Sequence, residues 1–277
     1  MERPIITFLT DFGLDGAAAT CRGVILSICR EAQIVDIGHT VRKYAIADGS
    51  WILRASLPYM PIGVHVAVVD PGVGTERRPI AIKVARGDVL LGPDNGLLLP
   101  PAEALGGAVE ARILANRDYW LPATTATFHG RDIFAPVGAH LAAGTAAFEL
   151  LGPSMPLEDL VRLPVPSASV RDGALETAVT YVDSFGNVRL AGGRDDLAAA
   201  VGSLEAEPRL DVSLTSGDGG ARGRETTHFR RTFGRAPLGS SLLYVDSSGG
   251  LALADNQGNA GARLAVAVGD RVRITLA

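Results

Sequence analysis

Apolar residues in the first part of the chain occur in short runs, separated by longer stretches in which apolar positions return every three or four residues. The short runs predict strands, and the longer stretches predict amphipathic helices. Strands separated by helical segments of about 10 to 15 residues are typical of a mostly parallel sheet flanked by helices. The pattern comprises IITFLT, a helix over Gly16 to Arg30, QIVDIGH, a helix over Ala45 to Leu57, and VHVAVVD.

Further apolar runs continue this sheet up to a clear break in the pattern. PIAIKVA and DVLLG follow closely on one another, and ILANRDYWL leads toward a helix predicted at about Asp132 to Ala143. Prolines and small polar residues then remove all periodicity between positions 160 and 173, as in a linker between domains. We therefore predict an α/β N-terminal domain over residues 1–165.

The remainder of the chain has the pattern of an all-β domain. Turn residues separate short apolar runs, and only Asp195 to Val201 has a helical pattern. This spacing predicts a C-terminal domain over residues 166–277 with an antiparallel sheet or a small barrel. The segment SGDGGARGRE, residues 216–225, is glycine-rich and charged, so we expect a mobile surface loop there. The predicted strands are TAVTYVD, RLDVSLT, SSLLYVD, GLALAD and DRVRITLA.

Composition is compatible with two domains and argues against several classes of partner. A chain of 277 residues with 47% hydrophobic content can bury two modest cores. Its 26 basic and 30 acidic residues give a formal charge of -4 without an extended basic cluster, so nucleic acid is not an expected partner. The N-terminal residues lack the features of a secretory signal, and no run approaches ~20 uninterrupted apolar residues. We expect neither secretion nor a membrane span.

The two cysteines indicate a reducing environment. Cys21 and Cys29 lie eight residues apart in one predicted helix, which is about two turns along the same face. A disulfide needs the two Cα atoms within about 7 Å, so this pair is too far apart. We expect reduced thiols buried in the core of a cytoplasmic protein.

An apolar run that ends in Asp before a glycine-containing turn occurs four times, at Asp11, Asp70, Asp183 and Asp246. Turn chemistry alone explains any single copy, because Asp and Gly are common turn residues. The first two copies would lie just beyond the carboxyl ends of parallel strands, where such sheets bind ligands. No phosphate-binding loop accompanies them, so acidic groups at this edge favour a hydroxyl-rich or cationic ligand over a phosphate.

A second candidate is FHGRDIFAP, residues 128–136, in which His129 and Gly130 precede the helix predicted from Asp132. Glycine permits a ligand to approach the backbone closely, and a helix N-terminus offers unpaired N–H groups. Taken alone, His129 is more typical of a structural histidine. The other histidines are scattered without zinc-ligand spacing, so no metal site is indicated.

The chain contains six motifs in the order TDFG, VDPGVGTERR, GPDNGLL, FHGRDIFAPVGAHLAAG, VDSFGN and DSSGGLALADNQGNA. Together they resemble one family along nearly the whole chain, the S-adenosylmethionine hydroxide adenosyltransferases. These enzymes, also called adenosine-forming S-adenosylmethionine hydrolases, are relatives of the fluorinase and chlorinase enzymes. The resemblance implies an α/β domain followed by a barrel-like β domain, S-adenosyl-L-methionine as the substrate, no cofactor, and a homotrimer with sites between neighbouring subunits.

The resemblance also implies a catalytic group of Asp70, Arg77 and His129. Arg77, and not Arg78, is the match, because the arginine of the family lies seven positions after its aspartate. The halogenases have an uncharged residue in the place of Asp70. A fixed negative charge repels a halide, so the carboxylate in this chain implies hydroxide transfer.

Substrate contacts are implied in both predicted domains. Asp11 resembles the residue that binds the ribose hydroxyls, and Asp183 the residue that meets the methionine ammonium. One departure concerns Ser248, which stands where the fluorinase has an arginine for the methionine carboxylate, so the residue that holds this carboxylate is open. The other implied contacts are Phe185 and Asn187 to adenine, Ser247 to the methionine end, and Phe233 and Asn256 as further contacts.

The implied substrate determines what catalysis requires. A sulfonium loses a neutral thioether, which needs no acid, so the catalytic effort goes to the nucleophile. Bulk water has a pKa of about 15.7 and supplies little hydroxide at neutral pH. Asp70 would accept a hydrogen bond from the attacking water, and His129 would help to align that water with ribose C5′. We expect Arg77 to lower the pKa of Asp70 and keep the carboxylate ionised.

Four alternatives stay open on the sequence. A metal-dependent hydrolase would use Asp11, Asp70 and His129 as ligands. A halogenase of the same superfamily would need halide for turnover, and a non-catalytic protein that binds adenosine or S-adenosylmethionine would not need the Asp-Arg-His group. In a purely structural role, Asp70 and Arg77 would form a salt bridge that braces the turn, and His129 would cap a helix.

Overall fold

The computed structural model describes residues 3–164 and 166–277. The chain divides into two compact units, the first ending at Leu163 and the second beginning at Pro164. The domain boundary predicted from the sequence falls at Val165, which lies outside the described residues. Each unit has its own sheet and its own hydrophobic core.

The first unit is built on a mixed seven-stranded sheet in the order β2-β1-β3-β5-β4-β6-β7. The four strands β2, β1, β3 and β5 run parallel, and β4, β6 and β7 add antiparallel pairs. A short turn joins β4 to β5, and so short a connection allows only antiparallel pairing. The strands are β1 Ile5–Thr10, β2 Gln33–Gly38, β3 Val64–Val68, β4 Pro79–Val84, β5 Val89–Pro93, β6 Ala108–Ile113 and β7 Ser154–Met155.

Helices cover both faces of this sheet. One core cluster joins α1 and α4 to one face, and a second joins α2 and α3 to the other. Strand β3 is buried on both sides, with Val66 in the first cluster and Ala67 in the second. Burial on both faces explains why its sequence is almost continuously apolar. The helices are α1 Ala17–Ile28, α2 Ile46–Ser56, α3 Leu99–Ala104 and α4 Ala135–Ala142.

The expected thiols and helices agree with this part of the structure. Cys21 and Cys29 are both free and buried, and burial raises the pKa of Cys21 to about 12. A thiol with so high a pKa is unreactive at neutral pH.

The first two predicted helices are present with ends shifted by one or two residues. Among the described residues, no helix is long and apolar enough to cross a membrane.

The second unit is an antiparallel sheet that nearly closes into a barrel, in the order β12-β11-β15-β9-β10-β14-β13, with β8 pairing to β9. An isolated bridge between Phe229 and Leu243 brings the two ends of the sheet together, and Arg230 N donates to Leu243 O at 2.8 Å. The elements are β8 Ser169–Arg171, β9 Ala174–Val182, β10 Val188–Gly193, α5 Arg194–Val201, β11 Arg209–Thr215, β12 Ala221–His228, β13 Ser241–Val245, β14 Gly250–Asp255, α6 Ala260–Arg263 and β15 Arg271–Leu276.

The prediction of a mobile loop over residues 216–225 is wrong for its second half. Strand β12 begins at Ala221, and its residues pair with β11 in an antiparallel ladder with one irregularity between Leu214 and Thr215. Only the first five positions form a turn, which Ser216 N closes by donating to Gly220 O at 2.7 Å. The polar composition reflects an outer strand that is exposed over its first half. The partner strand β11 supplies the buried side chains Val212 and Leu214.

Candidate active site

Asp11 and Asp70 lie at the same edge of the first unit's sheet. Strands β1 and β3 are parallel neighbours with Thr10 opposite Val68, so the residues that follow them leave the sheet side by side. The backbone of Asp11 also contacts this strand, since Asp11 N donates to Val68 O at 3.4 Å. The topology therefore places both carboxylates where parallel sheets bind ligands.

The turn after β3 returns the chain so that Arg77 faces Asp70. Arg77 Nε donates to Asp70 Oδ1 at 3.1 Å, and Arg77 Nη2 donates to Asp70 Oδ2. Within the turn, Gly74 has φ 78°, and a Cβ there would lie 2.5 Å from Ala126 O, so the position requires glycine. The next residue, Arg78, turns away and donates from Nε to Asp94 Oδ2 at 2.9 Å. The two adjacent arginines thus have different partners.

His129 is held at the start of a helix that opens with an irregular turn. The helix begins at Gly130, not at Asp132, and its first turn, Gly130–Phe134, is π-helical. Pro136 has no N–H, so the carbonyl of Asp132 loses its α-helical partner and accepts instead from Leu121 N at 2.9 Å. This bond ties the preceding loop to the helix and positions the residues just before His129.

The N–H groups expected to be unpaired at this helix start are already used. Arg131 N and Asp132 N both donate to Phe128 O at 3.1 Å. The carboxylate of Asp132 is fully buried and accepts from Thr125 N and Thr125 Oγ1, both at 2.8 Å. Two of the N–H groups predicted to be unpaired are therefore bonded to the Phe128 carbonyl within the same turn.

Gly130 does permit a close approach, but the approaching group is aromatic. A Cβ at Gly130 would lie 2.7 Å from Phe12 Cζ. Phe12 and Phe128 contact each other edge to face with their centroids 5.5 Å apart. The glycine therefore admits the Phe12 ring into the space that a side chain at position 130 would occupy.

The His129 ring faces the arginine that holds Asp70. Arg77 Nη2 lies 3.1 Å from His129 Nδ1. A guanidinium can only donate hydrogen bonds, so Nδ1 is the acceptor and the proton of the neutral ring lies on Nε2. Among the described residues, the ring makes no capping bond to the helix. One guanidinium thus joins the carboxylate to the imidazole and fixes the tautomer of the ring.

Burial determines the protonation of this group. The Arg77 and Asp70 side chains are only 7% and 5% exposed. Burial raises the pKa of Asp70 above its ordinary value, although the Arg77 guanidinium opposes the rise. Burial also lowers the pKa of His129, and the charge of Arg77 lowers it further. Arg77 does lower the pKa of Asp70, as expected, but removal from water is the larger effect and makes the net shift upward.

Arg77 has donor capacity beyond these two partners. Its Nη1 is buried, and nothing in the described part of the chain accepts a hydrogen bond from it. The Phe134 ring lies beneath the guanidinium, 5.4 Å from its carbon. This donor lies beside a carboxylate and an imidazole, so the group can bind a small polar reactant such as water.

The Asp11 carboxylate binds the backbone of Tyr44, a residue that the sequence did not single out. Its Oδ2 accepts from the backbone N–H of Tyr44 at 2.9 Å. Tyr44 has φ 67° and its side chain is 70% exposed, and a non-glycine residue in this region of backbone space is uncommon. Neither feature can be read from the sequence, where Tyr44 is one aromatic residue in a polar stretch.

Three of the implied substrate residues share one turn in the second unit. Asp183 Oδ1 accepts from Phe185 N and Asn187 N, both at 2.9 Å, and its Oδ2 accepts from Asn187 Nδ2 at 2.8 Å. The Phe185 ring is 75% exposed. The carboxylate that is expected to meet an ammonium thus also braces its own turn, between β9 and β10.

The other implied contacts lie on or near the hairpin of β13 and β14, with Ser247 in its turn and Asn256 at the opposite end of β14. Ser247 is exposed within that turn, and the Phe233 ring lies 4.8 Å from the Tyr244 ring. Asn256 Nδ2 donates to Ala236 O at 2.7 Å, which fixes the segment after Phe233. Sequence reasoning missed Arg189, which pairs with Asp246 beside Ser248.

No group of three or more His, Cys, Asp or Glu side chains is arranged to hold a metal ion in the parts of the chain that the structure describes. Of the three residues that the metal-dependent alternative would use, His129 directs Nδ1 toward the Arg77 guanidinium. A cation at that nitrogen would have to displace Arg77.

Comparison with known families identifies the class to which this site belongs. A model of the SAM hydroxide adenosyltransferase N-terminal domain matches residues 6–152, and a model of the C-terminal domain of the same family matches residues 177–273. The chain therefore belongs to the S-adenosylmethionine hydroxide adenosyltransferase family. The resemblance seen in the sequence motifs is confirmed over both units.

Individual relatives agree with this assignment. The (R)-S-adenosyl-L-methionine hydrolase of Salinispora arenicola is 44% identical over 98% of both chains. A fluorinase of Actinopolyspora mzabensis is 28% identical over 99% of this chain and 98% of its own. The crystal structure of an uncharacterized conserved protein from Thermotoga maritima superposes with a TM-score of 0.83 at 34% identity, covering 98% of this chain and 99% of that one. These matches confirm the predicted fold class.

Proposed function

We propose that this protein hydrolyses S-adenosyl-L-methionine to adenosine and L-methionine, by in-line attack of water on ribose C5′. The observation that carries the proposal is the buried group in which Arg77 joins the Asp70 carboxylate to His129 Nδ1. Membership of the family and the hydrolase relatives support the choice of reaction.

The bond changes of this reaction balance without an acid. The oxygen of water forms a bond to C5′, and the C5′–S bond breaks with its electron pair moving to sulfur. Sulfur leaves as the neutral thioether of methionine. The single proton released from water passes to Asp70 and then to solvent. The site therefore has to provide one acceptor for that proton and a fixed direction of attack.

We assign these tasks to three side chains. Asp70 accepts the hydrogen bond of the attacking water, and its raised pKa brings the base closer to the pH at which it works. His129 donates from Nε2–H to the oxygen of that water, while Arg77 fixes both partners. Positioning of this kind contributes roughly 7 to 11 kcal/mol when the reacting atoms are held near their attack distance.

The carboxylate also favours water over halide. Asp70 is buried, and a halide beside it would meet a negative charge in a medium of low dielectric constant. A fluorinase is among the relatives, so halogenation is the second candidate. The electrostatics of Asp70 are the specific observation that disfavours it.

The substrate contacts are proposed on the sequence motifs and on exposure. Asp11 binds the ribose hydroxyls at the sheet edge where its backbone contact to Val68 places it. In the second unit, Asp183 meets the ammonium group and the exposed Phe185 ring contacts adenine. The further proposed contacts are Asn187, Ser247, Phe233 and Asn256. No cofactor is part of this proposal.

Assembly and location are also proposals. A homotrimer with sites between neighbouring subunits follows the family resemblance. The free thiols of Cys21 and Cys29 agree with a reducing compartment such as the cytoplasm.

The test is incubation of the purified protein with S-adenosyl-L-methionine, followed by separation of the products. We expect adenosine and methionine in equal amounts, with and without chloride or fluoride, and unchanged after exhaustive chelation. No adenosine above the blank would overturn the proposal. Formation of a halogenated nucleoside would support the halogenase, and loss of activity on chelation would support the metal-dependent hydrolase.

Adjacent arginines offer a matched control for this assay. Arg77→Gln removes the guanidinium that joins Asp70 to His129, so we expect a strong loss of turnover. Arg78→Gln removes a neighbouring charge that pairs with Asp94 instead, and we expect turnover within about twofold of wild type. Equal losses in both variants would show that the effect is general and does not come from the catalytic group.

A further inference from the structure

Arg189 lies in an unusual place for a charged residue, within a strand and only 9% exposed. It stands opposite Ala252 of β14, and Ala252 stands opposite Tyr244 of β13. Directly opposed residues of antiparallel strands project to the same face. Arg189, Ala252 and Tyr244 therefore form one row across three neighbouring strands.

This row lies on the outer face of the sheet. The adjacent row consists of Val188, Leu253 and Leu243, and all three belong to the core of the unit. Because successive residues of a strand project to opposite faces, the row that contains Arg189 points away from that core. Tyr244 and Ala252 are buried there in a second, smaller cluster, and the Arg189 guanidinium is directed to the turn between β13 and β14.

The guanidinium is fixed against the turn that contains Ser247 and Ser248. Arg189 Nη2 donates to Ser248 Oγ at 2.7 Å and forms a salt bridge with Asp246. Asp246 Oδ1 in turn accepts from Ser248 N at 2.7 Å, from Ser248 Oγ at 2.8 Å and from Gly250 N at 3.2 Å. The turn and the arginine therefore hold each other in one arrangement.

An opposite charge lies at the end of the same hairpin. Asp183 follows β9 and Asn187 precedes β10, so their turn lies at the end of the hairpin that carries Arg189. Arg189 stands opposite Tyr181, two residues before Asp183, so the carboxylate and the guanidinium lie at the same end of β9 and β10. Burial raises the pKa of the Tyr244 hydroxyl, Asp183 raises it further and Arg189 lowers it, in agreement with this arrangement. An α-amino acid carries the complementary pair, an ammonium group and a carboxylate.

We propose that Arg189 binds the α-carboxylate of the methionine end of the substrate, while Ser248 Oγ, which accepts from Arg189 and donates to Asp246, positions the guanidinium. This inference rests on the proposed function and names a residue for the group whose holder the sequence left open. Ser248 stands where the fluorinase has an arginine, and here the positive charge comes from the neighbouring strand through the hydrogen bond between Arg189 and Ser248. Asp246 orients the guanidinium and does not contact the substrate.

The test compares two substrates in two proteins. One substrate is S-adenosyl-L-methionine, and the other is its analogue with hydrogen in place of the α-carboxylate. We expect Arg189→Gln to lower kcat/KM for the first substrate roughly 10- to 100-fold, as for loss of a charged hydrogen bond. The same variant should leave kcat/KM for the analogue within about twofold. An equal fall for both substrates would overturn the proposal.

Further variants keep the test valid if Arg189→Gln is unstable. Arg189→Lys retains a charge for Asp246, and we expect it to show the same selective loss to a smaller degree. Adding Ser248→Arg to Arg189→Gln should restore kcat/KM for S-adenosyl-L-methionine but not change that for the analogue. Failure of both variants to discriminate between the substrates would reject the role of Arg189.

The outcome is separable from that of the proposed function. If the wild-type protein forms no adenosine from S-adenosyl-L-methionine, both the proposed function and this inference fail. If the wild type forms adenosine and Arg189→Gln does not discriminate, only the carboxylate assignment fails. Binding of adenosine alone, measured by calorimetry, should be the same in wild type and Arg189→Gln, because adenosine lacks the methionine end.

Discussion

Asp70 and Asp183 follow apolar strands in the same way, yet the structure uses their carboxylates differently. Asp183 receives its hydrogen bonds from its own turn, through two backbone N–H groups and the Asn187 amide. Asp70 is held by the side chain of Arg77, seven residues away, and lies in a buried setting that raises its pKa. The comparison teaches that one sequence pattern serves both to brace a turn and to position a reactive group.

The largest expected effect comes from removing the reactive carboxylate. Asp70→Asn keeps the size of the side chain and removes the base, so we expect kcat to fall roughly 100- to 10,000-fold, the usual contribution of general base catalysis. Initial rates of adenosine formation measure this loss. Binding of adenosine should change little.

Folding must be measured alongside this rate, because Arg77 stays buried in the variant. The thermal unfolding midpoint of Asp70→Asn must lie above the assay temperature for the loss to be interpreted. A stable variant with the wild-type rate would show that Asp70 does not handle the nucleophile and would remove the contrast with Asp183.

The pH profile sharpens the comparison. Asp70 acts as a base, so activity is lost as the pH falls through its folded-state pKa, and burial raises that pKa. We expect the acid limb of kcat/KM above the ordinary range of an aspartate. Arg77→Gln removes a charge that lowers this pKa, so the limb should move to higher pH, whereas Arg78→Gln should leave it in place.

Protonation of His129 would also produce an acid limb, and a further variant separates the two groups. His129→Gln has no imidazole to titrate, so a limb that belongs to Asp70 should persist in its residual activity. Disappearance of the limb in this variant would assign it to His129. A limb that moves equally in Arg77→Gln and Arg78→Gln would contradict the specific coupling of Arg77 to Asp70.

The smallest expected effect concerns the turn of Asp183. Asp183→Ala removes three hydrogen bonds within one turn, and we expect the free energy of unfolding to fall by about 1 to 3 kcal/mol. Urea unfolding without substrate measures this change. KM should also rise, because the proposed contact to the ammonium is lost. Unchanged stability would show that the carboxylate does not brace its turn.

The sequence predicted most of the fold because hydrophobic periodicity records which faces are buried. Strand β3 reads as continuously apolar because helices cover both of its faces. The polar composition of the segment 216–225 led to the wrong prediction of a loop over its second half. That half belongs to an outer strand, which needs few apolar residues because its partner β11 supplies the buried side chains. The helix after His129 also begins two residues earlier than predicted, because its first turn is π-helical and Ala135 N donates to Gly130 O.

The site was predicted less completely, for physical reasons. Motif spacing located Asp70, Arg77 and His129, but the net pKa of Asp70 depends on burial, which only the folded chain determines. Tyr44 depends on a backbone angle, and Arg189 on the register between strands that are distant in sequence. None of these quantities leaves a local pattern in the sequence.

The central claim is that Asp70 directs a water molecule to C5′, and oxygen-18 water tests it most directly. The account predicts that adenosine formed in labelled water carries one solvent-derived oxygen, at its 5′-hydroxyl, that methionine carries none, and that Asp70→Asn loses this labelled product. Unlabelled adenosine, labelled methionine, or labelled adenosine formed at the wild-type rate by Asp70→Asn would contradict it.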